Sequence, residues 1–435
     1  MEGKKTRVKT PSQKILILSY YWPPSGGSGV QRWMYFAKHL KLMGWEPIVI
    51  TVDEQQAAYA VWDSSLLAEV ASIRVIKTPT REPLRWYSLL TTGNAHQGIP
   101  QGAVHQKSVL GKIAAYIRGN YFIPDARKGW IPYAVKAAKK VLETEAISHL
   151  ITTGPPHSTH LAGLQLKAHF DLHWWADFRD PWTEVFYNKD LFRSAKTQQK
   201  DRQLEQQVLQ TADGVLTTLG GAFHEQLKRK APLQRFVALP NGYEAELMAA
   251  TPGERPKEVF HVVYTGLLTE NQSYTPVLKA LDKIAEQLPV RLSLAGNIGQ
   301  EIIADIRSKH PNIALVFHGY VSHGAAIQLM KSAHVLLNFI FENADTQMIS
   351  GKLLEYMATG VPLLSIGNPT SAAGKFVDQG SAAKMLEARD TKGIFDFIQQ
   401  AATQRANLHN SFPQLAHWSR EALTKRLVEE VLLGK

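Results

Sequence analysis

Short apolar runs alternate with segments of helical spacing along most of the chain, and this alternation limits the fold more than any other feature. The runs at residues 14–19, 47–52 and 149–152 have the length of strands and are too short for helices. Segments with apolar residues three or four positions apart, such as 30–43 and 158–169, stand between such runs. Alternating strands and helices are typical of parallel sheets. We therefore predict an α/β fold with doubly wound sheets.

The alternation forms two series separated by a linker at residues 248–258, which is rich in proline, glycine and charge. Strands are predicted at 14–19, 47–52, 72–76, 149–152, 173–177, 214–218 and 236–239, then at 259–264, 290–295, 314–318, 334–339, 361–365 and 382–386. Helices are predicted at 30–43, 132–142, 158–169 and 194–211, then at 274–287, 325–331, 352–358 and 391–403. This pattern indicates two Rossmann-like domains whose strand carboxyl ends face a central cleft.

Composition excludes several classes of protein. The chain has 435 residues with 44% hydrophobic and 20% charged residues, which is close to an average globular protein. It contains no cysteine, so disulfides, thiolate zinc sites and cysteine nucleophiles are excluded. No apolar run reaches the roughly 18 residues needed to span a bilayer, and the apolar stretch after the basic first residues is too short for a signal peptide. We expect a cytoplasmic protein.

Positive charge is concentrated in the first half of the chain. Residues 1–250 hold 31 Lys and Arg against 21 Asp and Glu, whereas residues 251–435 hold 18 against 17. The basic half either attracts an anionic partner or is a solvated basic face. Residues 106–117 form an amphipathic segment with the apolar stripe Val109, Leu110, Ile113 and Ile117, near Lys107, Lys112, Arg118 and the sequence Arg85-Trp86-Tyr87. Such a segment is typical of helices that contact a membrane surface. The alternative is that its apolar stripe packs on the first domain.

The loop at residues 22–33 joins the first predicted strand to the first predicted helix. Gly26 and Gly27 allow a ligand to approach the backbone closely, and the helix start that follows favours an anion or a sugar hydroxyl; the alternative is a structural turn. A dinucleotide-binding loop is disfavoured, because Arg32 occupies the place of its third glycine.

Two further polar clusters follow predicted strands of the first domain. His157 and His160 lie at or near a helix start, where a neutral imidazole can accept a proton or bind a hydroxyl, or simply cap the helix. Asp177, Arg179 and Asp180 end a strand, where carboxylates orient hydroxyls or take a proton. The alternative for these acids is a buried ion pair with Arg179 that shapes the loop.

The most specific cluster lies in the second domain. Ser350 and Gly351 form a predicted helix cap, Lys352 opens the helix, and Glu355 lies one turn further on. An ammonium group and helix amides can bind a diphosphate, and an acid one turn away can accept hydrogen bonds from the hydroxyls of a ribose. The alternative is that the acid only stabilises the helix start.

In this order, the segments resemble the retaining family-4 glycosyltransferases of the GT-B fold. They are ILILSYYWPPSGGSGVQR, TTGPPHSTHLAG, ADFRDPW, LPNGYEAE, YTGLL, SLAGN, VFHGYV and SGKLLEYMATGVPLL, and they cover nearly the whole chain. The resemblance implies an acceptor-binding domain at 1–250, a nucleotide-sugar-binding domain at 251–412 and a last helix, 413–435, that returns to the first domain. It also implies that Glu355 holds the ribose, and that Arg179 or Asp180 stands where many members have an active-site histidine.

Two departures from that family affect the donor side. Gln347 replaces the first acid of the Glu-x7-Glu motif, so it can bind the donor sugar but carries no charge. The Arg and Lys that many members place after the first strand of the second domain are absent from residues 266–272. Lys352, the helix amides behind it and Arg32 are the candidates to replace them, with Gly26, Gly27, Ser350 and Gly351 as further donor contacts.

We therefore expect a retaining glycosyltransferase that uses a nucleotide diphosphate sugar and no cofactor or metal. Lys352 would meet the leaving diphosphate, and Asp180, beside Arg179, or the departing phosphate would take the acceptor proton. His157, His160 and Asp177 are expected to bind the acceptor, a glycan or lipid-linked molecule of surface polysaccharide or glycolipid synthesis at the inner membrane face. A GT-B epimerase and a non-catalytic nucleotide-binding or glycan-binding relative are the alternatives. No nucleic-acid-binding module is present in the sequence.

Overall fold

The computed structural model describes residues 13–57, 59, 61–81, 109–185, 188, 191–218, 221–341 and 351–434, with backbone alone at 28 and 109–114. The chain divides into two compact units. The first comprises Met1–Gly220, His224–Leu239 and Thr424–Lys435, and the second comprises Gly221–Phe223 and Pro240–Leu423. The units therefore change over near residues 239 and 423, whereas the sequence places domain limits at 250 and 412. Those limits stay a prediction.

The first unit contains a parallel sheet of seven strands in the order β3-β2-β1-β4-β5-β6-β7. Its strands are β1 (Lys14–Leu18), β2 (Glu46–Val52), β3 (Arg74–Thr78), β4 (His149–Gly154), β5 (His173–Phe178), β6 (Gly214–Thr217) and β7 (Phe236–Ala238). Four consecutive side chains of β1, Ile15 to Leu18, are fully buried, because a central parallel strand is covered on both faces. The strand order reverses between β1 and β4, which pair in register from Ile15 with His149.

The second unit contains a parallel sheet of six strands in the order β10-β9-β8-β11-β12-β13. Its strands are β8 (Phe260–Thr265), β9 (Val290–Ala295), β10 (Ile313–Phe317), β11 (Val335–Phe339), β12 (Leu363–Ile366) and β13 (Ala383–Leu386). Side chains of β8 alternate between two separate apolar clusters, with Tyr264 in one and Val263 in the other. The sheet is therefore packed on both faces, and its strand order reverses between β8 and β11.

Helices connect the strands in both units. They are α1 (Ser28–Leu42), α2 (Leu66–Glu69), α3 (Val109–Tyr121), α4 (Ile131–Thr144), α5 (Ser158–Lys167), α6 (Ala195–Thr211), α7 (Ala222–Lys230), α8 (Ala245–Ala250), α9 (Thr275–Ala285), α10 (Gln300–Lys309), α11 (His323–Lys331), α12 (Lys352–Ala358), α13 (Ala372–Val377), α14 (Thr391–Thr403) and α15 (Arg420–Arg426). A π-helical segment, Leu427–Leu432, follows α15, and short 3-10 helices occupy Lys128–Trp130 and Leu415–Trp418.

The prediction of parallel, doubly wound α/β sheets is confirmed, and every predicted strand is present in the structure. Among the helices in the described ranges, α2, α7, α8, α10 and α13 were not predicted, and α10 is the longest of these. In parallel sheets of this type, ligands bind at the carboxyl ends of the strands where the strand order reverses. We therefore expect functional residues at the carboxyl ends of β1 and β4 in the first unit and of β8 and β11 in the second.

Candidate functional site

Lys352 begins α12 beside the carboxyl end of β8. Its Nζ donates a hydrogen bond to the carbonyl oxygen of Thr265 at 3.0 Å and lies 3.9 Å from the centre of the Tyr264 ring. A cation over an aromatic face is held by the ring quadrupole, so this contact fixes the position of the ammonium group. Burial lowers the pKa of Lys352 to about 7. An anion bound here would restore the charged form.

Two glycines leave bare backbone next to this lysine. Gly266 follows β8 and Gly296 follows β9, and both have a φ of 121°, which side-chain-bearing residues rarely adopt. A Cβ atom built on Gly266 would lie 3.3 Å from Lys352 Nζ, and one on Gly296 would lie 2.3 Å from the Gly266 carbonyl oxygen. Glycine is therefore required at both turns, and no side chain there keeps a phosphate away from the half-buried backbone.

Glu355 lies one turn along α12 from Lys352, and its carboxylate is held by two partners. Its Oε1 accepts a hydrogen bond from Arg420 Nη2 at 3.2 Å and lies 2.8 Å from His323 Nε2. Burial alone would raise the pKa of Glu355, but these neighbours outweigh it and hold the pKa below its usual value. The side chain is 12% exposed. Glu355 is therefore a fixed, charged carboxylate one helical turn from the ammonium group.

The structure describes only part of the predicted donor cluster. Gln347 and Ser350 lie outside the described residues, so their predicted donor contacts stay predictions. Gly351 is the N-cap of α12, a helix of seven residues. Because glycine has no side chain, it cannot cap the helix with a side-chain hydrogen bond.

Arg32 and Asp177 form a buried ion pair in the first unit. Both side chains are fully buried, and Arg32 Nη2 lies 2.8 Å from Asp177 Oδ1. Asp177 also accepts hydrogen bonds from Trp33 Nε1 at 2.6 Å and from Thr153 Oγ1 at 2.8 Å. Arg32 Nη1 donates to the carbonyl oxygen of Leu239 at 2.7 Å. These contacts account for both residues structurally, and their predicted roles in donor and acceptor binding stay predictions.

Arg179 holds three backbone carbonyls of the first unit together. Its guanidinium donates to the carbonyl oxygens of Gly29 in the first turn of α1, of Gly154 at the end of β4 and of Pro155 directly after it. The side chain therefore links the end of β4 to the start of α1 at the point where the strand order of the first sheet reverses. This geometry supports a positioning role, and the predicted catalytic role stays a prediction.

Asp180 follows Arg179 and is half-buried. Burial raises the pKa of its carboxyl group, and the charge of Arg179 opposes that shift. Within the described part of the chain, the Asp180 carboxylate makes no hydrogen bond. A carboxylate of raised basicity with unused lone pairs is suited to accept a proton.

His157 and His160 lie together near the carboxyl end of β4. Their ring centres are 5.8 Å apart, His157 stacks on Trp182 at 5.1 Å, and His160 stacks on Phe178 at 4.7 Å. Burial holds the pKa of His157 well below its usual value and lowers the pKa of His160 to about 3. Both imidazoles are therefore neutral near pH 7, because they are buried and not because of the helix start, and their predicted role in acceptor binding stays a prediction.

The glycine loop after β1 starts α1. Gly27 is the N-cap of that helix, with a φ of 96°, and Gly26 donates its backbone N–H to Val61 at 3.0 Å. Their predicted donor contacts stay predictions.

Metal sites and membrane spans are absent from the described residues. No group of three His, Asp or Glu side chains there could hold a metal ion. None of the helices in the described ranges is long and apolar enough to cross a bilayer.

Several residues beside the predicted cluster were not predicted from the sequence. Gly266 and Gly296 each follow a strand directly, which is a signal that could have identified them. His323 and Arg420 lie 32 and 65 residues from Glu355, and no local pattern connects them to it.

Comparison with known proteins supports the interpretation of the second unit. Residues 259–404 match the family model described as glycosyl transferases group 1. This segment begins at β8 and contains Lys352 and Glu355, so the second unit carries a glycosyltransferase domain. No curated protein matches the chain.

Solved structures of glycosyltransferases have a similar fold. Sucrose-phosphate synthase from Thermosynechococcus elongatus is 15% identical with a TM-score of 0.61, over 97% of this chain and 100% of that one. Anabaena Alr3699/HepE in complex with UDP-glucose is 13% identical with a TM-score of 0.61, over 97% and 99%. The lipopolysaccharide outer core galactosyltransferase WaaB is 12% identical with a TM-score of 0.55, over 97% and 99%. The expected GT-B fold is thereby confirmed.

Proposed function

We propose that this protein transfers a sugar from a nucleoside diphosphate sugar to an acceptor hydroxyl, with retention at the anomeric carbon. The observation that carries the proposal is the placement of Lys352 and Glu355 one turn apart beside the bare backbone of Gly266. The group 1 glycosyltransferase match over the same segment supports it. HepE, one of the similar structures, was solved with UDP-glucose.

On the donor side, Lys352 neutralises the leaving diphosphate. Its ammonium group is already fixed over Tyr264, so little reorganisation is needed when negative charge develops on the leaving group. The turn at Gly266 lets the phosphates approach the backbone. Glu355 accepts hydrogen bonds from the hydroxyls of the adjoining pentose. Gln347 and Ser350 complete the donor contacts in this proposal.

On the acceptor side, Asp180 or the departing phosphate takes the proton of the acceptor hydroxyl. Breaking the bond from the anomeric carbon to the diphosphate generates an oxocarbenium-like centre, and the acceptor oxygen bonds to it as its proton leaves. Burial raises the pKa of Asp180 and so makes it a better base. No metal enters this mechanism, because Lys352 supplies the positive charge.

We further propose that the acceptor is a glycan or a lipid-linked molecule of surface polysaccharide or glycolipid synthesis. Helix α3 supports contact with a membrane surface, because Tyr116, Ile117 and Tyr121 are 48%, 44% and 67% exposed. Aromatic and aliphatic side chains on a basic unit suit the interface of an anionic membrane. Sedimentation with anionic vesicles should weaken as salt rises. If the protein does not sediment with the vesicles at any salt concentration, a soluble acceptor is the remaining possibility.

Thermal shift with UDP-, GDP- and dTDP-sugars tests the donor site. A ligand that binds only the folded state raises the melting temperature, and at a fixed concentration a tighter ligand raises it more. The wild-type protein should be stabilised by one nucleotide class, and Lys352→Ala and Glu355→Ala should lose the shift. Lys384→Ala and Glu286→Ala remove exposed charges of the same unit and are the matched controls. An equal shift in melting temperature in the wild type and all four variants would show that Lys352 and Glu355 do not bind the nucleotide.

Product analysis with the stabilising donor separates the alternatives. A transferase consumes donor only when acceptor is present, apart from slow hydrolysis, whereas a nucleotide-sugar epimerase converts donor alone. A non-catalytic relative binds the nucleotide and consumes nothing. NMR of the anomeric proton of the product tests retention.

A further inference from the structure

The backbone ladder between β8 and β11 ends before β8 does. Its pairing runs as far as Val263 and Leu336. Thr265 lies two residues beyond Val263, at the last position of β8. The N–H of Thr265 donates to the hydroxyl oxygen of Tyr356 at 2.8 Å. A side chain therefore accepts the backbone hydrogen bond at the point where the strand order of the second sheet reverses.

Thr265 directs its backbone groups towards β11. The carbonyl oxygen of His261, four residues earlier in β8, accepts the N–H of His334 at 2.7 Å, just before β11 begins. Backbone groups alternate between the two neighbouring strands, so Thr265 faces the same neighbour as His261. On β11, the carbonyl oxygen of Phe339 accepts a hydrogen bond from Gln272 Nε2 at 2.9 Å. Side chains therefore take backbone groups of both strands beyond the end of the ladder.

Tyr356 and Lys352 contact the same carbonyl oxygen. Lys352 Nζ donates to the carbonyl oxygen of Thr265 at 3.0 Å, and the Tyr356 hydroxyl lies 3.3 Å from the same atom. The hydroxyl also lies 3.0 Å from Thr265 Oγ1. The two side chains are four residues apart in α12 and so lie on one face of the helix. Tyr356 is fully buried in the apolar cluster that contains Val263, so packing fixes the position of its hydroxyl.

We propose that Tyr356 is a positioning residue whose hydroxyl holds Thr265 where the Thr265 carbonyl oxygen meets the ammonium group of Lys352. Tyr356 needs no contact with the substrate in this role, because it acts through Lys352. The alternative is that the hydroxyl only stabilises the fold by pairing a buried N–H. The consequence for diphosphate binding rests on the proposed function, whereas the coupling of Tyr356 to Lys352 does not.

Tyr356→Phe removes one oxygen atom and keeps the ring. It leaves the N–H of Thr265 without its acceptor, and because an unpaired buried donor is costly, the end of β8 should move to find another. The carbonyl oxygen of Thr265 moves with it, and Lys352 loses a hydrogen bond that favours its charged form. The pKa of Lys352, about 7 in the wild type, should therefore fall by about one unit in the variant.

Carbon NMR of protein labelled with ¹³C at lysine measures this pKa directly. The Cε resonance of Lys352 is identified by its absence in Lys352→Arg. Its titration midpoint should lie near about pH 7 in the wild type and about one unit lower in Tyr356→Phe. Tyr243→Phe removes a tyrosine hydroxyl from the same apolar cluster and should titrate as the wild type does. A midpoint in Tyr356→Phe equal to or above that of the wild type would overturn the proposal.

Inorganic pyrophosphate tests the consequence for binding. If the anion binds to the ammonium form of Lys352, a pKa lower by about one unit weakens binding about eightfold at about pH 7.5 and changes it little at about pH 5.5. Calorimetric titration of the wild type and Tyr356→Phe at both pH values measures the two Kd ratios. A purely structural role would change the Kd by the same factor at both pH values, and that result would overturn the proposal.

The two experiments separate a failure of the role of Tyr356 from a failure of the proposed function. A wild type that does not bind pyrophosphate would contradict the donor site at Lys352, whereas the titration midpoints would still decide the role of Tyr356. Equal midpoints, in a wild type that binds pyrophosphate, would overturn the role of Tyr356 and leave the donor site intact.

Discussion

Arg420 Nη2 donates a hydrogen bond to Glu355 Oε1 at 3.2 Å, and this contact joins two parts of the second unit that are 65 residues apart in sequence. Arg420 also bonds through its backbone N–H to Tyr243 at 2.9 Å and through Nε to the Asn241 carbonyl at 3.4 Å. His323 holds the same carboxylate oxygen at 2.8 Å. The carboxylate proposed to bind the pentose is therefore oriented before any ligand arrives.

Arg420→Gln should weaken nucleotide binding without removing any proposed contact to the nucleotide. A hydrogen bond to a charged group contributes about 1.5–3 kcal/mol, so the Kd of the stabilising nucleotide should rise by at least about tenfold. Arg420→Lys keeps the charge and should recover part of the affinity. Calorimetric titration measures both. A lower melting temperature with an unchanged Kd would show that Arg420 is structural only.

The catalytic efficiency for the donor should fall as the pH rises above about 7 if the ammonium group of Lys352 binds the diphosphate. Burial lowers the pKa of Lys352 to about 7, so the free enzyme loses the ammonium charge through that pH. kcat/KM for the donor, which reports groups of the free enzyme, should fall accordingly. Lys352→Arg keeps its charge and should give a flat profile over the same range. Identical profiles for the two proteins would contradict the assignment.

Asp177→Asn should strongly destabilise the first unit. Removing one partner of a buried ion pair costs about 3–5 kcal/mol, because the other charge stays buried. The double variant Arg32→Met with Asp177→Leu should recover part of that loss. Urea denaturation measures the free energy of unfolding. Asp396→Asn, which breaks the exposed pair with Lys392, is the control and should change stability by less than about 1 kcal/mol. Equal effects at the two sites would refute the prediction.

Stability should fall in acid, and buried histidines provide the reason. Burial lowers the pKa of His334 to about 4 and that of His160 to about 3, whereas an unfolded histidine titrates near 6.5. The unfolded chain therefore binds more protons below pH 6.5. The stabilisation is complete above that pH and is lost as pH falls towards 4 and 3.

His334→Asn tests this pH dependence. Nδ1 of His334 accepts the backbone N–H of His261 at 3.0 Å, and an asparagine oxygen can replace that acceptor without titrating. The free energy of unfolding should decline less steeply between pH 6.5 and 4 in the variant than in the wild type. An unchanged slope would show that other groups govern acid unfolding.

Local sequence patterns were sufficient to predict the sheets and the helix that carries Lys352 and Glu355. Buried parallel strands are continuous apolar runs, which are readable without tertiary information. Helix α10 carried a readable signal in Ile302, Ile303 and Ile306, which are buried on one face, but it was not predicted.

Contacts between distant residues could not be predicted. Arg32 and Asp177 are 145 residues apart, and each also suited a ligand-binding role in the sequence. The burial that makes them an ion pair arises only when β5 and α1 pack in the first unit. The same holds for the stacking of His157 on Trp182 and of His160 on Phe178, which depends on the turn that follows β4.

A crystal structure with the nucleotide that stabilises the protein most among UDP, GDP and dTDP is the strongest test of the donor site at Lys352 and Glu355. We expect the diphosphate within hydrogen-bond distance of Lys352 Nζ and the pentose hydroxyls on the Glu355 carboxylate. A nucleotide bound away from both side chains, or stabilisation by none of the three, would contradict it.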